Sequence, residues 1–220
     1  MNSLPLPGQS KELLIPGPVG QIEAILSAPR EPLAPAGFAL ICHPHPLFGG
    51  ALSNKVTYTL ASCAQKAGLY ALRFNFRGVG RSEGAHDNGR GETGDVEFLV
   101  DWMRQQLPGA RVVLAGFSFG AWVSVRAAAT VRPVAQVSIA PPFGKYFDDA
   151  PPPPRPECPW LVVHGIDDEV VDYRQTHAIL DRYVPPPELV TLDGVGHFFH
   201  GRLADLGGIV LEFLQRNVHA

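Results

Sequence analysis

Apolar and polar positions alternate early in the chain. KELLI (11–15) and QIEAILSA (21–28) flank PGPVG, a pattern that predicts an antiparallel hairpin. Beyond it the rhythm changes to short apolar runs separated by helical stretches. FALICH (38–43), YALRFNF (70–76), RVVLAGF (111–117), VAQVSIA (134–140), WLVVHG (160–165) and ELVTLD (188–193) read as strands. Runs such as ALIC and WLVV have no polar alternation, which fits strands covered on both faces. Between them, residues 54–68, 95–107, 119–130, 172–183 and 203–216 carry apolar residues at helical spacing, with Gly68 and Pro108-Gly109 as stop signals. Strands alternating with helices require a mostly parallel central sheet with helices on both faces, and the hairpin belongs at one edge. The expected fold class is therefore α/β, in a single domain over residues 1–220. The prolines at 151–156 suit neither a sheet nor a helix interior and predict an extended surface connection.

Composition changes this picture little but removes several functions. With 45% hydrophobic and 18% charged residues, the chain is that of an ordinary globular protein. A net charge of −3 without a basic run argues against nucleic acid as a partner. Cys42, Cys63 and Cys158 are odd in number and include no C-x-x-C pair, which speaks for a reducing, cytoplasmic location and against a disulfide framework or a zinc site. Neither a signal-like N-terminus nor a membrane-length apolar run is visible, so no membrane span is expected.

The candidate chemistry begins at GFSFG (116–120). Ser118 lies between a predicted strand ending near Phe117 and a predicted helix starting near Phe119, at the strand end where open parallel sheets bind ligands. The bland alternative is a tight turn with a helix-capping serine. A serine hydroxyl needs a base, and the base an orienting acid. After WLVVHG come Asp167, Asp168, Glu169 and Asp172; after ELVTLD come His197 and His200. Serine, acid and histidine thus follow three different strands, all at one edge of the sheet.

These motifs together resemble the α/β-hydrolase family: GFSFG the nucleophile elbow, HGIDDEVV the acid loop and GVGHFF the histidine loop. HPHPLFGG, RFNFRGVGRSEG and DNGRGE narrow the resemblance to small bacterial serine hydrolases without a large lid; it covers about residue 20 to the C-terminus. In the family frame His164-Gly165 makes Asp168 the acid and leaves Asp167 as a loop-capping carboxylate. Gly194, Gly196 and Phe198 frame His197 as the base, with His200 at the rim and His164 a satisfied strand-end histidine. The oxyanion donors are expected to be the amide of Phe119 and one from HPHPLFGG. Pro44 and Pro46 have no N–H, which leaves His45, favoured by the family pattern, or Leu47. His43 and His45 have no acidic neighbour in sequence to suggest a metal site. Arg77, Gly78, Gly80 and Ser82 are expected to shape the loop beside the cleft.

The resemblance implies a serine hydrolase acting on small to medium carboxylic esters, without metal or cofactor. A thioesterase or peptidase would use the same residues, and a non-catalytic binding protein on the same fold is the alternative from another class. Phe48, Phe143, Tyr146, Phe147 and Phe198, on loops at the active edge, are the candidate substrate pocket, with about half of the loop aromatics expected in the core. Arg73, Arg77 and Arg81 keep a weakly anionic substrate open. The only candidate cover is APPFGKYFDDAPPPP (140–154), and the sequence is silent on oligomeric state.

Overall fold

The structure, a computed structural model, describes residues 4–34, 36–144 and 151–218. Among them are eight strands: β1 (Ser10–Gly17), β2 (Gly20–Ser27), β3 (Gly37–Cys42), β4 (Tyr70–Phe74), β5 (Arg111–Phe117), β6 (Ala135–Ile139), β7 (Trp160–Gly165) and β8 (Glu188–Leu192). They form one sheet in the order β1-β2-β4-β3-β5-β6-β7-β8. The β1–β2 hairpin joins β4 antiparallel at one edge, while β4, β3, β5, β6, β7 and β8 run parallel. Five helices complete the described chain: α1 (Lys55–Lys66), α2 (Arg90–Gln106), α3 (Phe119–Val131), α4 (Tyr173–Leu180) and α5 (Leu203–Val218).

Two apolar cores explain the continuous apolar strands. On β3, Phe38, Leu40 and Cys42 point to the core under α2 and α3, whereas Ala39 and Ile41 point to the core under α1 and α5. On β5, Val112 and Leu114 share the first core, and Val113, Ala115 and Phe117 the second. A strand whose successive side chains enter opposite cores has no solvent face to be polar. Among the described residues no helix is long and apolar enough to cross a membrane.

Two element boundaries depart from the sequence reading. The second helix begins at Arg90 rather than 95. Its extra turn is held by Glu92, fully buried, whose carboxylate accepts the N–H groups of Asp87 and Gly89 at 2.9 Å each. Gly89 has φ 84°, a conformation that permits this sharp entry. The fourth helix is shorter than 172–183 because Asp172 is its cap, accepting from Gln175 N at 2.8 Å, and the chain turns after Leu180.

The glycine-rich loop after β4 is a scaffold, as expected. Arg77 donates to both carboxylate oxygens of Asp95, at 2.8 and 2.7 Å, and to Gly91 O at 2.9 Å. Ser82 Oγ donates to Asn75 O and accepts from Glu23 N, tying the loop to the hairpin. Residues 151–156 are neither helix nor strand, and Pro153 and Pro156 are buried, so this connection packs against the body rather than only crossing its surface. Tyr183 donates to Pro153 O at 2.7 Å. No described residue between β6 and β7 is helix or strand, at the one place where a cover was expected.

Candidate active site

Parallel strands end together, so the loops after β3, β5, β7 and β8 meet at one edge of the sheet. The loop after β5 is the sharpest. Ser118 has φ 53° and ψ −122°, backbone strain of about 1–3 kcal/mol for a residue with a Cβ. The surroundings enforce it. Ser118 N donates to Ile139 O at 2.8 Å, and Ser118 O accepts from Ala121 N at 2.8 Å as the first turn of α3 starts. A Cβ on Gly116 would lie 2.3 Å from Gly120 O, and one on Gly120 would lie 2.4 Å from the carbonyls of Cys42 and His43. These two glycines let strand, helix and the exit of β3 converge on one point.

Ser118, His197 and Asp168, expected together, are together. His197 Nε2 is 3.0 Å from Ser118 Oγ, and His197 Nδ1 is 2.8 Å from Asp168 Oδ2. All three are buried. An ionised carboxylate only accepts, so Nδ1 carries the proton and the Nε2 lone pair faces the hydroxyl. Asp168 Oδ1 accepts the amides of Val170 and Val171 at 2.9 and 2.7 Å. Burial alone would raise this carboxyl, but hydrogen bonds from His164 and His197 outweigh it and hold the group below the usual carboxylate range.

Several neighbours are corrected. Asp167 does not cap the loop: it is exposed, and Asp168 Oδ1 does the capping itself. His164 is a strand-end histidine, as expected, but its Nε2 contacts Asp168 Oδ2 at 3.1 Å besides Val171 O at 3.2 Å. His200 is exposed at the rim. Sequence reasoning missed Glu169, whose carboxylate accepts the His197 N–H at 3.1 Å; its place beside the acid was the only signal.

The loop after β3 carries a short 3-10 turn, Pro46–Phe48. Leu47 N, one of the two amides left open, donates to His45 Nδ1 at 3.2 Å. The His45 ring lies 4.9 Å from that of Phe119, so the loop after β3 packs against the start of α3. His43 braces this loop. Its Nδ1–H donates to Pro44 O at 2.6 Å and its Nε2 accepts from Phe76 N at 2.9 Å, so the peptide that bears the His45 N–H is gripped at its carbonyl.

Burial pushes the His43 imidazole down to about 4, and a protonated ring would meet the Phe76 N–H donor to donor. The unfolded chain binds this proton near pH 6.5 and the native one only near 4, so the native state loses stability as pH falls through that window. The full effect is about 3 kcal/mol. Urea unfolding between pH 7 and 4.5 should show a loss in the wild type that is largely absent in His43→Gln; equal slopes would contradict the neutral buried imidazole.

A cleft of about 350 Å³ opens over Ser118 and His197, walled by Phe48, Val170 and Phe198 and by the backbone of Gly49 and Gly50. Phe48 and Phe198 are exposed, as lining residues of an open cleft must be. Phe143 was expected there and is not: it is 2% exposed, in the core against Trp160. An aromatic ring next to a strand end gains more from full burial than from half-lining a groove. Tyr146 and Phe147 lie outside the described residues. Among the described residues, no arginine or lysine lines the cleft. Arg77 is committed to Asp95, and Arg73 donates to Leu52 O and lies over the Tyr58 ring. A larger cavity, about 800 Å³, lies where α1 meets β4, at the opposite edge of the sheet from Ser118. Cys42 is fully buried, which pushes its thiol up and removes it as a second nucleophile.

Comparison with known proteins agrees with this geometry. Residues 40–139 match the family model for the alpha/beta hydrolase fold. A solved protein from Xanthomonas campestris, described as an α/β serine hydrolase without lid, is 40% identical, with 96% of this chain and 97% of that one covered and a TM-score of 0.86. An α/β serine hydrolase homologue from Coxiella burnetii is also 40% identical, with 92% and 96% covered and a TM-score of 0.85. An uncharacterized Rickettsia prowazekii protein is 34% identical over 218 residues, 92% of this chain and 89% of its own. The chain belongs to the α/β-hydrolase superfamily.

Proposed function

We propose that this hydrolase cleaves small to medium uncharged carboxylic esters through an acyl-enzyme on Ser118. The observation that carries the reading is the unbroken line from Ser118 Oγ through His197 to Asp168, at 3.0 and 2.8 Å, at the floor of an apolar cleft.

Ser118 Oγ attacks the ester carbonyl as His197 Nε2 takes its proton. Asp168 keeps the proton on Nδ1 and stabilises the imidazolium. The carbonyl oxygen becomes an oxyanion, held by the amides of Phe119, the first residue of α3, and His45. Each such donor, held rigid before the reaction, contributes about 10²–10³ in rate. Collapse of the adduct expels the alcohol, which takes the His197 proton. Water then enters, His197 deprotonates it, and the carboxylic acid leaves with Ser118 restored. Only protons and an acyl group move, so the steps call on no metal or cofactor. Phe48, Val170 and Phe198 in the cleft lining offer apolar contact, which suits an uncharged acyl group.

Intact-mass analysis after treatment with a fluorophosphonate tests the nucleophile. One adduct on the wild type and none on Ser118→Ala supports the reading. Absence of an adduct on folded wild type would overturn it in favour of a binding protein that kept the fold. A panel of esters and thioesters of increasing acyl length then separates the two leaving-group classes.

A further inference from the structure

The proposed mechanism gives His164 no task, yet this ring touches the acid directly. His164 ends β7, with a fully buried side chain. Its Nε2 lies 3.1 Å from the same Asp168 Oδ2 that receives His197 Nδ1 at 2.8 Å. The other nitrogen, Nδ1, is buried and has no hydrogen-bond partner among the described residues. Nε2 faces two acceptors, Asp168 Oδ2 and Val171 O, whereas a proton on Nδ1 would have nothing to accept it, so the ring carries its proton on Nε2. That proton is shared between Asp168 Oδ2 and Val171 O, at 3.1 and 3.2 Å.

Asp168 is consequently saturated. Two backbone amides occupy Oδ1 and two imidazole N–H groups occupy Oδ2. An oxygen that accepts two hydrogen bonds gives less of its charge to each. We infer that His164 is a positioning residue of the proposed reaction: by holding Asp168 Oδ2 it fixes the direction of the His197 ring and moderates the basicity of its Nε2. The inference rests on the Ser118–His197–Asp168 reading above and deepens it. The ionisable groups that face His164 are Asp168 on its own loop, His197 from the loop after β8, and Tyr173 at the start of α4, whose ring lies edge-on at 5.7 Å. Glu169 completes the surroundings through the His197 amide.

The sign of the effect follows. Without the His164 donor, Asp168 Oδ2 concentrates its charge on His197 and stabilises the imidazolium, so His197 titrates at a higher pH. A hydrogen bond to a charged group corresponds to about one pH unit or more. The acid limb of kcat/KM should therefore move up by about one unit in His164→Leu, with kcat down about tenfold as the carboxylate loses its anchor. His164→Gln, whose amide offers N–H donors at about the Nε2 position, should restore both the limb and most of kcat.

Histidine labelled with ¹⁵N provides the deciding measurement, because it needs no turnover. The wild type should show His164 as the Nε2–H tautomer, and the His197 titration should move up in His164→Leu and return in His164→Gln. A folded His164→Leu whose His197 titrates as in the wild type would overturn the inference. So would a wild-type His164 protonated on Nδ1, a result available even if the leucine variant fails to fold. Because these signals are independent of acylation, the inference can fail while Ser118 reacts with fluorophosphonate, or hold while Ser118 is silent.

Discussion

Ser118→Ala is expected to reduce kcat by about 10⁴–10⁶ on any ester the wild type accepts, with little change in stability. The two parts have separate physical grounds. The methyl group of alanine tolerates the φ of 53° no worse than serine does, and the backbone bonds of residue 118 to Ile139 and Ala121 are untouched. What disappears is the one hydroxyl within reach of His197 Nε2 at the cleft floor. Residual rate would come from the oxyanion donors acting on water. Steady-state kinetics on a chromogenic ester, paired with urea unfolding, checks both parts. A variant that keeps most of the activity would remove Ser118 as nucleophile.

The second large effect separates two adjacent carboxylates. Asp168→Asn should cost about 10⁴ in kcat, the loss found when the same exchange in a serine protease leaves histidine in the wrong tautomer. Asparagine can keep its oxygen on the amides of Val170 and Val171, which preserves the loop. Its NH₂ group then faces His164 Nε2 and His197 Nδ1, where three donors confront one another unless His197 moves its proton to Nε2. A proton there blocks its action as base. Asp167→Asn should stay within a few-fold of wild type, because that side chain is exposed and Asp167 is held through its backbone, N donating to Val195 O at 3.2 Å. Kinetics of the two variants side by side decides the matter; the reverse ranking would move the acid by one residue.

Much of this was legible before any coordinates. The hairpin alternates because one of its faces meets water. The parallel strands do not, because Phe38 and Ala39, or Val112 and Val113, enter different cores. Ser118, Asp168 and His197 could be placed on one edge because each lies in the connection that follows a strand, and parallel strands end at the same edge. Gly116 and Gly120 were visible as a pattern, and their purpose is the close approach of backbones that a Cβ would prevent.

Other features depend on how side chains turn and pack in three dimensions, which the apolar pattern does not give. Phe48, Phe119 and Phe143 look alike as loop aromatics, yet only Phe48 lines the cleft, while Phe119 and Phe143 are buried in the core. The Leu47 amide, one of two that the sequence left open, donates to the His45 ring, a contact that the letters alone do not show. The early start of α2 depends on a buried carboxylate, and the tie from His164 to Asp168 on a turn that brings residues four apart ring to oxygen. By itself, then, the sequence determined the fold class and the strand after which each candidate residue falls, because periodicity and strand ends are local properties; the choice of Asp168 and His197 among their neighbours came from the resemblance to the α/β-hydrolase family. Which aromatic sees solvent was decided only by tertiary packing, and the contacts of His45 with Leu47 and of His164 with Asp168 by how their loops turn, since neither is a property of the apolar pattern.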